Sequence, residues 1–159
     1  MDFVDELHCW QEIPLAGEEK NRGKIRIRAE FPDSDGCLAS AYDFLKRLKS
    51  PPLQVVTRRV ATDCFEEYTL STAPDLCTVS ANDTEGIRRG LYKVAELLRE
   101  NIPSQLPVKT ERYRPFFRLR MGRYRFGSQK YPGSKYELDE DADFYPDAFL
   151  DRLASEGIN

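Results

Sequence analysis

The chain has 159 residues, enough for one domain that buries about 70% of its unfolded surface, and two domains would be crowded. With 40% hydrophobic and 32% charged residues, nine Phe, eight Tyr and one Trp, its composition excludes the disordered and fibrous classes. The 24 basic and 27 acidic side chains sum to −3, which argues against general affinity for nucleic acid, and no apolar run approaches the roughly 20 residues of a membrane span.

Residues 1–23 read as a lead-in that closes on the turn-rich Gly17-Glu18-Glu19-Lys20-Asn21-Arg22-Gly23. Met1 to Pro14 carries acids where a signal peptide carries basic residues and an apolar stretch, so the chain reads as cytoplasmic, or as one whose leader has been removed. From Lys24 to Phe31 apolar and charged residues alternate, with Ile25, Ile27, Ala29 and Phe31 on one side, the pattern of a half-buried strand. Asp33-Ser34-Asp35-Gly36 offers capping groups to a helix whose Leu38, Ala41, Tyr42, Leu45 and Leu48 share a face, and Pro51-Pro52 ends it. Two β-rich stretches follow, Leu53 to Thr62 and Glu66 to Ser71; the short polar turn between them allows a hairpin, while the sequence leaves their pairing partners open.

Leu76 to Ala81 reads as a short apolar strand running into Asn82-Asp83-Thr84-Glu85, where an Asn or Asp cap and an early Glu suit the positive end of a helix. In that helix Ile87, Leu91, Val94 and Leu98 repeat at helical spacing. Gly86 and Gly90 lie on the same face and remove side-chain bulk, which lets the helix backbone approach a sheet closely. Pro103 and Pro107 close the helix, and Val108 to Arg114 resumes a strand before Pro115. The order β-α-β-β-β-α-β over residues 24–115 predicts an α+β domain: a mostly antiparallel sheet with two helices covering one face.

Residues 116–159 read differently. Gly127 to Glu140 is polar and turn-rich, and Pro146 opens a helix with Phe149, Leu150, Leu153 and Ala154 on one face. Gly157-Ile158-Asn159 has the form of a helix C-cap followed by the first residues of a buried strand, so a cut inside a second domain is expected here.

Chemistry-bearing residues are sparse. Cys9, Cys37, Cys64 and Cys77 show no CxxC pair, so neither a disulfide framework nor a zinc site is indicated. His8 is the sole histidine, beside Cys9 and Trp10, which leaves little for a nucleophile relay. Gly86 and Gly90 lack the lysine and spacing of a phosphate loop, so no cofactor is implied. Glu137, Asp139, Glu140, Asp141 and Asp143 form a solvated acidic run, with a weak calcium site as the alternative. Arg112, Arg114, Arg118, Arg120, Arg123, Arg125 and Lys130 interleave with Tyr113, Phe116, Phe117, Tyr124 and Phe126, a pattern that could stack bases and neutralise phosphates. The acidic balance and the missing Gly-aromatic spacing weigh against single-stranded nucleic acid.

Val79 to Leu98, followed by Tyr113-Arg114-Pro115-Phe116-Phe117-Arg118-Leu119-Arg120, resembles the amino-terminal domain that precedes the barrel in β-N-acetylhexosaminidases and α-glucuronidases. There a strand leads to an Ala-x-Asp-x-x-Gly-x-x-x-Gly helix start, then a strand, then Pro-x-Phe-x-x-Arg at the approach to a (β/α)8 barrel. The resemblance spans roughly residues 24–120, and Tyr145 to Asn159 also looks like the first barrel helix of such enzymes. It implies a non-catalytic domain of a glycoside hydrolase acting in carbohydrate metabolism, whose partner is its own catalytic barrel and whose acids lie outside this chain. It also implies that Arg120 is a donor to sugar hydroxyls at the end of the first barrel strand. Met121 stands where the family has Gly and Arg125 where it has an acid, which favours a divergent relative. A free-standing carbohydrate-binding or interaction module is the alternative reading.

Overall fold

A computed structural model describes residues 25–48, 50–101, 106–121 and 147–158. The lead-in, the acidic run at 137–143 and His8 lie outside these residues. Among these residues, five strands, β1 (Ile25–Ala29), β2 (Leu53–Arg59), β3 (Tyr68–Ala73), β4 (Leu76–Ala81) and β5 (Lys109–Tyr113), and helices α1 (Ala39–Arg47), α2 (Thr84–Asn101) and α3 (Asp147–Ser155) follow in the order β1-α1-β2-β3-β4-α2-β5-α3. The described residues fall into two compact units, one ending at Arg118 and the other starting at Leu119. Among them no helix is long and apolar enough to cross a membrane.

The strands form one sheet in the order β1-β2-β4-β3-β5. It is a mixed sheet, not a mostly antiparallel one: β1–β2 and β2–β4 pair in parallel, while β3–β4 and β3–β5 pair antiparallel. The hairpin allowed between β2 and β3 does not form. In β2, Leu53, Val55, Val56 and Thr57 are all buried. Such a strand belongs inside a sheet, where α1, as a crossover from β1, supplies a parallel neighbour. The true hairpin is β3–β4, closed by only Pro74-Asp75 between the paired Ala73 and Leu76.

Both α1 and α2 cover one face, as the sequence predicts. The residues aligned across that face are Val55, Thr57, Cys77, Val79, Ala81, Tyr68 and Leu70. Tyr42 of α1 shares a hydrogen bond with Thr57 at 3.1 Å, and α2 packs on β3 and β4. Ile87, Leu91, Val94 and Leu98 are buried as their spacing requires, each contributing on the order of 2 kcal/mol of apolar burial. Leu38, Ala41, Leu45 and Leu48 are buried as expected and Tyr42 is half-buried; Phe44, three residues after Ala41 and four before Leu48, is buried with them. Phe44 meets Tyr92 at 5.1 Å, and the guanidinium groups of Arg47 and Arg99 lie over its ring. Asp33 supplies the capping group ahead of α1, accepting from the Cys37 and Leu38 amides at 3.0 and 2.9 Å.

The second unit is described by α3 and by Leu119–Met121. Leu150, expected on the covered face of α3, is 47% exposed, whereas Asp151 is 7% exposed and Phe149, Leu153 and Ala154 are half-buried. The predicted cap is present: Gly157 sits at φ 90, its amide reaches Ala154 O at 3.1 Å, and Ile158 N reaches Leu153 O at 3.0 Å. This is a Schellman motif, whose left-handed position favours glycine.

Candidate functional site

Within the first unit, Ala81, Asp83, Gly86 and Tyr113 of the resembling motif lie at one end of the sheet, where β2, β4 and β5 finish and β3 begins. β4 delivers Ala81, after which Asp83 caps α2. Its carboxylate accepts from the Gly86 amide at 2.8 Å and from the Glu66 amide at 3.1 and 3.3 Å. One side chain thus satisfies an orphan donor of the helix start and fastens the β2–β3 loop. A Cβ built on Gly86 would stand 2.8 Å from both Ala81 Cβ and the Glu67 carbonyl. One built on Gly90 would lie far inside van der Waals contact of Val79 Cγ1 and 3.2 Å from Tyr68 Cδ2. The glycine spacing noted in the sequence is therefore a close helix–sheet contact.

The loop fastened by Asp83 contains an ionic cluster. Glu66 takes a left-handed φ of 63, uncommon outside glycine, and both Glu66 and Glu67 are buried. From β5 and the residue beyond it, Arg112 and Arg114 reach back to Glu67 and Asp63. Arg114 Nε donates to Glu67 at 2.8 Å and Arg112 NH2 to Asp63 at 2.7 Å, while Arg112 also pairs with Glu67 and Arg114 with Asp63. The Cys64 thiol donates to Glu67 at 3.4 Å. Burial works against ionisation of Glu67, but hydrogen bonds from Arg112 and Cys64 and the charges of Arg112 and Arg114 outweigh it and hold its carboxyl below the ordinary value. The Arg112 hydrogen bond, with the charges of both arginines, lowers Asp63 in the same way. Burial and the neighbouring Glu67 push the Cys64 thiol up, away from nucleophilic use.

Arg120 lies in the second unit, half-buried, with its Nε donating to the Gly157 carbonyl at 2.6 Å. A cation at the carboxyl end of α3 meets the negative end of the helix dipole there. Of the interleaved basic and aromatic residues, Arg112 and Arg114 are engaged by Glu67 and Asp63. Tyr113 turns to the helix-covered face and stacks on Tyr68 at 4.8 Å. Phe116 and Phe117 stand 92% and 64% exposed beyond β5. Arg123, Tyr124, Arg125, Phe126 and Lys130 lie outside the described residues. Among the described residues no three His, Cys, Asp or Glu side chains are grouped to hold a metal. Reading the sequence missed the pairing of Asp63 and Glu67 with Arg112 and Arg114; its one local signal is the Arg-x-Arg alternation at 112–114, and the partners lie 45 or more residues away.

No family model matches the chain, and no curated protein matches it. Among solved structures it is similar to the X-ray structure of Flavobacterium johnsoniae chitobiase, with 22% identity and a TM-score of 0.38 over 62% of this chain. The match spans 18% of the chitobiase chain, and at that score it decides nothing about activity.

Proposed function

We propose that residues 25–118 form the non-catalytic amino-terminal domain of a glycoside hydrolase, bracing a catalytic (β/α)8 barrel that follows in the same polypeptide. What supports this reading is the role taken by the residues of the resembling motif. Asp83, Gly86 and Gly90 are occupied in closing α2 onto β4 and in fastening the β2–β3 loop, which is architectural work. Glycosidic cleavage ordinarily uses two carboxyl groups about 5–9.5 Å apart with room for a sugar between them. The Glu67 and Asp63 carboxylates are instead closed off by two arginines. In this reading Arg120 contributes guanidinium donors to sugar hydroxyls at the end of the first barrel strand.

The gene and the longer protein supply the test. A reading frame continuing into several hundred residues of alternating strands and helices, with paired acids at strand ends, is expected; one that stops at Asn159 overturns the proposal. In the longer protein, deleting residues 24–110 should lower thermal stability without moving the pH profile of hydrolysis, and unchanged stability would count against bracing.

The exposed Phe65, Phe116 and Phe117 favour a second reading, a carbohydrate-binding or interaction module whose rings stack on sugars. Glycan-array binding by the isolated chain would support it, whereas the first reading expects little or none. Single-stranded nucleic acid is the weaker rival, because phosphates would have to displace Glu67 and Asp63 from Arg112 and Arg114; retention of RNA on filters, falling with added salt, would revive it.

A further inference from the structure

β5 is held differently from the strands inside the sheet. β2, β3 and β4 each bury three or four side chains, whereas no side chain of β5 is fully buried. Apolar burial therefore contributes little to its attachment, and a strand of that kind opens at low free energy. Among the described residues its only ladder partner is β3, over five residues. At its start the Thr72 hydroxyl donates to the Pro107 carbonyl at 2.6 Å, and at its end Tyr113 stacks on Tyr68. Thr110 also donates to the Ser71 hydroxyl at 3.0 Å and Lys93 of α2 lies over the Tyr113 ring, while the ionic attachment runs through Arg112 and Arg114.

The other half of that attachment does not move with β5. The Glu66 amide is bonded to Asp83, Arg89 of α2 stands 3.9 Å from the Glu66 carboxylate, and the Cys64 thiol stays on Glu67. The β2–β3 loop is thus fastened to α2 whether or not β5 is in place.

From this arrangement we infer that Asp63, Glu67, Arg112 and Arg114 form a latch that sets the opening of β5 separately from the rest of the sheet. Closed, the latch gives the buried Glu67 carboxylate its guanidinium partners; open, it releases β5 and uncovers the backbone edge of β3. The last strand before Arg118 is then the controlled weak point of this unit.

Fragment-resolved hydrogen exchange on the intact chain at pH 7 tests the latch. In Glu67→Gln the amides of residues 109–113 should exchange about tenfold faster, the scale of losing one charge-assisted hydrogen bond, with residues 87–98 of α2 unchanged. Asp63 is 70% exposed, so Asp63→Asn leaves the core intact and should accelerate β5 about threefold, which decides the matter if Glu67→Gln does not fold. Glu85→Gln, which breaks the Arg88–Glu85 pair on α2, should leave β5 unaffected. Unchanged β5 exchange in Asp63→Asn, or equal acceleration of β5 and α2, overturns the inference.

Discussion

Replacing Gly90 by alanine sets two effects against each other. In an exposed helix the change would stabilise by about 1 kcal/mol, because glycine is the poorer helix former. Here the new methyl meets Val79, a completely buried residue on β4, a strand with neighbours on both sides. Val79 is β-branched and stiff at χ1, so α2 itself must shift; overpacking of that kind costs about 3 kcal/mol. The difference, about 2 kcal/mol of net destabilisation, should lower Tm by roughly 10 °C for a unit of this size. Thermal denaturation followed by circular dichroism measures it. Val79→Ala removes the obstructing methyls, so the double variant should be more stable than the sum of the single losses predicts, by about 1 kcal/mol. A Gly90→Ala protein as stable as the parent, or strictly additive losses, would refute the close-contact argument.

Three other outcomes are expected. Asp83→Ala should lose about 2 kcal/mol in urea unfolding, since it deprives the Gly86 and Glu66 amides together, while Asp83→Asn retains most of that stability. The carboxyls of Asp63, Glu67 and Glu111 are lowered in the folded state, so their stabilisation is fully present above the ordinary carboxylate range and is lost as pH falls through and below it. The urea midpoint should therefore hold from pH 7 to about 5 and decline at lower pH, less steeply in Glu67→Gln, and a midpoint that rises on acidification contradicts the cluster. Of the three described cysteines, iodoacetamide at pH 8 should label the exposed Cys37 ahead of Cys64, and should reach Cys77, buried with its thiol pushed up to about 12, only on unfolding; early labelling of Cys77 by mass spectrometry would contradict its place under α2.

The sequence by itself determined the elements whose causes are local. The spacing of Ile87, Leu91, Val94 and Leu98 identifies a helix and its buried face, Asn82-Asp83 its start, with Asp83 chosen by the structure, and Gly157 the stop of α3, because periodicity and caps act within a few residues. Gly86 and Gly90 even disclosed that α2 lies close to a sheet. Only the tertiary structure decided which strands are neighbours. The buried run in β2 marks an interior strand without naming β1 and β4 as its partners, so a plausible hairpin with β3 gave way to a mixed sheet. The latch was hidden for the same reason. Arg112 and Arg114 look like free basic residues along the chain, and they become the partners of Glu67 and Asp63 only when β5 pairs with β3, since electrostatic attraction depends on distance in space and not on separation in sequence.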